Sequence, residues 1–150
     1  EVDMSQIKFL FWYIGIMVVS FLANLMIKVI PFKLLIGWIT NSDSITDREL
    51  LLTNRQQERL FRAADILKRI RQKVPWRVYC FEQAIVALVI ARILGVNMNI
   101  YFGVQKNGDK LLAHAWTMAG NDIFTGKEEM EKFVPVYSRG YRSNKKGEST

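Results

Sequence analysis

"VPWRVYCFEQAIVALVIARILG", residues Val74–Gly95, is the stretch that decides how this chain folds. Pro75 has no backbone N–H and biases Val74 away from the helical region, so no helix runs through it. From Tyr79 or Cys80 to Leu94 apolar residues occupy nearly every side, and Gly95 stands where a left-handed C-terminal cap belongs. A helix that is apolar all round has to be covered all round, which makes this the central helix of a domain. Its first residue is the only cysteine in the chain.

Upstream, Asn54 to Val74 has helical periodicity, with Leu60, Ala63, Ala64, Leu67, Ile70 and Val74 on one face. Thr53 or Asn54 serves as its cap, and Gln56 or Gln57 completes the capping pattern. Arg55, Arg59, Arg62, Arg69 and Lys73 form a stripe on another face, read either as a solvated surface or as a dock for an acidic partner. Thr40 to Thr53 is polar and reads as a connector. Phe9 to Ile27 is nineteen residues without a charge, between Lys8 and Lys28. It is long enough to span a bilayer; the alternatives are a helix buried in the domain or one lying on a membrane surface. Pro31 interrupts it, and "FKLLIGWI" follows as a second short helix.

Downstream the period changes from helix to strand. "MNIYFGV", "LLAHAWTM" and "IFTG" are separated by "KNGD" and "AGND" turns. Helices followed by an antiparallel meander predict an α+β fold. The expected units are an apolar helical segment and connector over 1–53, a core over 54–137, and a disordered basic tail over 138–150.

The chain has 150 residues, half of them apolar, a net charge of +7, one cysteine and one histidine. That length supports one well-packed core. An internal disulfide is excluded, and so is a Cys/His cluster with zinc spacing. No glycine-rich phosphate loop is present. The positive charge favours an acidic partner, an anionic membrane or nucleic acid, without choosing among them.

The histidine can be placed relative to its neighbours. With Asn107-Gly108 as the hairpin loop, Lys106 pairs with Asp109 and Tyr101 falls opposite His114. His114 then shares a face with Leu112, Trp116, Met118, Asn99, Tyr101 and Gly103. Met98, Ile100, Phe102 and Val104 form an apolar layer on the other face. Cys80 stands in the first turn of its helix, where free N–H groups and the helix dipole favour a thiolate, and Arg77 adds positive charge. A neighbouring imidazole would complete a cysteine–histidine pair. Taken alone, each residue is more often packing than chemistry.

"VPWRVYCFEQAIVALVIARILGVNMNIYFGV" followed by "AHAW" resembles the lasso-peptide leader peptidases, the stand-alone peptidase half of the lasso maturation B protein. These belong to the transglutaminase-like cysteine protease superfamily. The resemblance runs from "LMIKVIPFKLL" to "FVPV" and rests on Pro75-Trp76, Cys80 with Gln83-Ala84, Gly103-Val104 and His114-Ala115-Trp116. It implies a bacterial cytoplasmic cysteine endopeptidase that removes the leader from a ribosomally made antibiotic precursor, with Cys80 as nucleophile and His114 as base. The implied partners are the precursor peptide, a separate leader-recognition protein and a cyclase resembling asparagine synthetase. No cofactor, metal or nucleic acid is implied, and membrane contact would come through Phe9–Ile27.

The superfamily's third member is an acid on the strand beside the histidine strand, and here the sequence departs from the pattern. A Gly120-Asn121 loop places Lys127 opposite His114 and Thr125 on its diagonal; an Asn121-Asp122 loop brings Glu129 opposite. Asp122 lies about five residues, or roughly 16 Å, along the strand and points to the other face. Thr125, Glu129, Asn99 and Asp122 stay open as the residue that orients the imidazole. Trp76, Tyr101 and Trp116 are candidates for the cleft wall. The competing readings are an inactive, membrane-associated peptide-binding protein of the same fold, and an acyl transferase.

Overall fold

A computed structural model describes residues 3–128 and 130–144. The architecture is α+β: four helices precede a four-stranded antiparallel sheet. The helices are α1 (Met4–Val29), α2 (Phe32–Ile39), α3 (Asn54–Lys73) and α4 (Cys80–Leu94). The strands are β1 (Met98–Asn107), β2 (Lys110–Ala119), β3 (Asp122–Thr125) and β4 (Val134–Tyr141), in the spatial order β3-β2-β1-β4.

α4 is the core helix its composition predicts. Ala84, Ile85, Val86, Ala87, Leu88, Ile90 and Ala91 are buried, and each large aliphatic side chain among them stabilises the fold by about 1.5–3 kcal/mol. Gly95 closes the helix in the left-handed conformation. α3 begins with a capping box in which Thr53 and Gln56 satisfy each other's backbone N–H groups. It buries Leu60, Ala63, Ile66, Leu67 and Ile70. Its basic stripe is exposed, and Arg62–Glu58 and Arg69–Asp65 are one-turn surface pairs that contribute little.

Strand alternation sets the two faces of the sheet. Met98, Ile100 and Phe102 of β1, with Ala115, Thr117 and Ala119 of β2, form the buried face; all but Thr117 join the hydrophobic cluster that contains α4. Asn99, Tyr101, Gly103, His114 and Trp116 lie on the other. The connector after α2 is ordered against the sheet. Ile45 and Leu50 are buried, the Asn99 amide bonds both backbone groups of Ile45, and Leu50 O accepts from Gly120 N.

Three expectations are corrected. The β1–β2 loop is Gly108-Asp109, because Asn107 pairs with Lys110. Gly108, at φ 63, takes the first central position, where either tight hairpin turn needs a left-handed backbone. The register therefore moves by two: Gly103, not Tyr101, lies opposite His114, and the face of every side chain is preserved. The sheet also has a fourth strand, carrying Pro135, which an edge strand tolerates. Residues 138–141 belong to that strand rather than to a tail; residues 145–150 lie outside the described residues.

Candidate active site

The segment that delivers Cys80 to the head of α4 is held by α1. Trp76 Nε1–H donates to Ser20 Oγ at 3.1 Å, and Asn24 Nδ2–H donates to Arg77 O at 2.9 Å. Tyr79 is the N-cap, and its N–H is taken by the Glu82 carboxylate at 3.2 Å. Cys80 then follows as the first helical residue, half-buried. Burial pushes its thiol above the usual value of 9.0; the N–H groups of Ala115, Phe81 and Cys80 itself pull the other way, and the Glu82 carboxylate adds to the rise. The expected depression of the thiol by the helix start is thus outweighed by desolvation. Arg77 is not among the groups that shift the thiol; its guanidinium lies over the Tyr79 ring at 4.0 Å.

The Ala115 N–H that acts on the Cys80 thiol belongs to the residue after His114. β3 pairs with β2 only from Thr117 to Ala119, so at Ala115 the ladder has ended, and Gly126 lies against the Ala115 carbonyl instead. α4 packs on one face of the sheet and the imidazole starts from the other. Both side chains line the same cavity of about 560 Å³, together with Gln83, Thr125, Gly126 and Lys127.

His114 is held on three sides. Its ring stacks on Phe133 at 5.0 Å and on Trp116 at 6.0 Å. Its Nε2 lies 2.8 Å from Gly126 O. A carbonyl can only accept, so Nε2 carries a proton, which leaves Nδ1 as the ring nitrogen available to accept one. Gly126 can sit there only as glycine: its φ is 77, and a Cβ would stand 2.3 Å from Ala115 O and 2.8 Å from Trp116 Cβ. Gly103, opposite His114, is needed for a related reason, because a Cβ there would meet the Trp116 ring at 2.8 Å and Phe133 at 2.9 Å.

A cysteine at the head of a core helix, with a strand histidine at its cavity, is the arrangement on which a family comparison bears. The sequence model of the transglutaminase-like superfamily matches residues 26–138. The chain belongs to the transglutaminase-like superfamily. Its members are usually cysteine hydrolases or transferases, so a cysteine-based acyl chemistry is the activity the family suggests. Searches of curated proteins and of solved structures returned no match.

The remaining candidates are placed as follows. The β2–β3 loop is Gly120-Asn121, since Ala119 pairs with Asp122. A bulge then makes Phe124 the extra residue and sets Thr125 opposite Thr117, on the face away from His114, with the two hydroxyls 2.7 Å apart. Asp122 accepts from Gln57 Nε2 at 3.2 Å, and Asn99 bonds Ile45 and the Tyr101 hydroxyl. None of these three reaches the imidazole; Glu129 lies outside the described residues. The expected cleft wall also differs: Trp76 turns to α1, packing on Phe21 at 5.2 Å, and Tyr101 and Trp116 stack on each other at 5.8 Å behind the histidine. Gly126 and Phe133, which hold the imidazole, went unread because a backbone acceptor and a stacking ring leave no motif in a sequence. Among the described residues no three His, Cys, Asp or Glu side chains converge on a metal position.

Two outcomes follow from this geometry. A Gly126→Ala substitution forces the turn off Ala115 and takes the carbonyl from His114; turnover is expected to fall roughly 100-fold, with about 1–3 kcal/mol lost in a urea unfolding curve. The raised Cys80 thiol fixes the sign of an alkaline effect. Unfolded, the thiol releases its proton near its ordinary pKa, whereas the folded protein keeps it to higher pH. Stability therefore falls as pH rises from the unfolded toward the folded value and is unaffected below it. The difference in urea midpoint between wild type and Cys80→Ala should stay constant below that window and shift against wild type within it.

Proposed function

We propose that the protein is a cysteine endopeptidase that removes the leader from a ribosomally made lasso-peptide precursor, Cys80 being the nucleophile and His114 the general base. The observation that carries the chemistry is that Cys80 and His114 line one open cavity, with the backbone N–H of Ala115, the residue after His114, acting on the thiol. The precursor as substrate rests on the resemblance carried by Pro75-Trp76, Cys80, Gln83-Ala84 and His114-Ala115-Trp116.

Burial raises the pKa of the thiol, so the pair works by proton transfer during attack rather than as a standing ion pair. His114 Nδ1 takes the thiol proton as Sγ bonds to the scissile carbonyl carbon. The proton then passes to the leaving amine as the C–N bond breaks, and a thioester remains on Cys80. Water, deprotonated by Nδ1, attacks the thioester; the acid departs and the proton returns to sulfur. The Cys80 N–H, in the first turn of α4, is the donor for the oxyanion. Gln83 is otherwise engaged, its amide donating to Val78 O at 3.1 Å. Throughout, Gly126 O keeps Nε2 protonated and the ring oriented, doing by backbone what an acid would do.

In this reading a separate leader-recognition protein presents the precursor in the bacterial cytoplasm, and the freed core amine passes to an asparagine-synthetase-like cyclase. The test is mass spectrometry of a lasso precursor incubated with the protein and its leader-binding partner in ¹⁸O water. A leader fragment carrying ¹⁸O at its new C-terminus is expected. A product acylated on an added amine, without ¹⁸O, would replace hydrolysis by acyl transfer, and an intact precursor would overturn the peptidase reading.

A further inference from the structure

We propose that α1 and α2 form a docking face for an anionic lipid bilayer, with α1 lying in the membrane plane and its outer side in the acyl region. The polarity of α1 is the reverse of a helix made for water. Its inward line is Ile16, Ser20, Ala23 and Asn24, and the two polar residues of that line tie it to Trp76 and Arg77. Its outward line is Ile14, Val18, Leu22, Leu25 and Val29, all exposed. Only 22% of its most apolar stretch is buried. α2 continues the face with Phe32, Leu34 and Trp38. An apolar groove of about 240 Å³ between α1 and α4, lined by Phe11, Val19, Val86 and Ile93 among others, extends it further. Two adjacent helices that turn apolar faces outward mark an interaction surface. The family match begins at residue 26, so most of α1 lies outside the matched region.

Charge selects the occupant. Between Met4 and Ser42 the charged residues are Lys8, Lys28 and Lys33, all exposed, with no carboxylate among them. A second copy would set these lysines against their counterparts, whereas anionic headgroups neutralise them. α1 cannot span the bilayer while docked, because it packs on α3 and α4, and the exposed Arg59, Arg62 and Arg69 of α3 would be drawn toward hydrocarbon. It therefore lies in the interface. The helix that meets the membrane is also the one that anchors the segment leading to Cys80.

The full chain is tested by flotation with phosphatidylglycerol-containing vesicles and with pure phosphatidylcholine vesicles. Wild type should float with the anionic vesicles and be released by carbonate. Val18→Glu/Leu22→Glu, both on the exposed line, should bind at least about tenfold more weakly. A Lys8→Gln/Lys28→Gln/Lys33→Gln variant, which leaves the apolar face intact, should lose roughly fivefold per lysine. Wild type that stays with neither vesicle overturns the proposal. A dimer that the Val18→Glu/Leu22→Glu variant dissociates, without vesicle binding, would assign the face to a second copy. Resistance to carbonate would overturn the in-plane placement in favour of a spanning helix.

Discussion

Cys80→Ala is expected to lower turnover by at least about 10³-fold while the protein stays folded. The two halves of that result have separate causes. In the proposed mechanism Sγ forms the covalent intermediate, and the chain has no second cysteine to replace it. The fold does not depend on it: Cys80 is half-buried at a helix start, the Tyr79 N–H is held by Glu82, and α4 is anchored by residues from Ala84 to Ala91. Loss of one sulfur atom there costs on the order of 1 kcal/mol. Turnover on the precursor and a thermal unfolding curve check both halves. Near-normal cleavage by the variant would remove the nucleophile from the account.

The second large effect is at His114. His114→Gln keeps a side-chain N–H for Gly126 O and most of the packing against Phe133, but it has no base. Turnover is expected to fall at least about 100-fold, the range general acid–base catalysis supplies. The substitution separates positioning from proton transfer. If the glutamine variant kept most of the activity, the ring would be there for packing between Trp116 and Phe133, and the proton would have another destination.

How much of this was legible in the sequence depends on how local the signal is. α4 announces itself through Pro75, unbroken apolar content and Gly95, because each of these acts within a few residues. The capping box of α3 and the faces of β1 and β2 are local in the same sense. The face of His114 survived a register error of two, since side-chain direction repeats with that period. β4 was missed: it pairs with β1 across all of β2 and β3, from Val104–Val134 to Met98–Tyr141, and nothing near Pro135 advertises an edge strand. The ordered strap over Ile45 and Leu50 depends likewise on distant partners.

The candidate site shows the same division. Cys80 and His114 could be picked out by residue type and by their place at a helix start and on a strand. Their partners could not. The sequence pattern directs attention to acids, and the imidazole is held instead by the carbonyl of Gly126, at a turn that a bulge at Phe124 makes reachable. Whether the helix start or burial wins at the thiol is a contest of magnitudes that needs the packed environment, and burial wins.

The central claim is that the sulfur and the imidazole act together across their shared cavity. Because the chain has a single cysteine, the rate of alkylation by iodoacetamide reports Cys80 alone. Measured against pH for wild type and His114→Gln, the wild-type rate at pH 7 should be at least about tenfold the faster, and the two should converge once the pH exceeds the thiol's own raised pKa. Equal rates at pH 7 would mean that the histidine takes no proton from this cysteine, and would contradict the account.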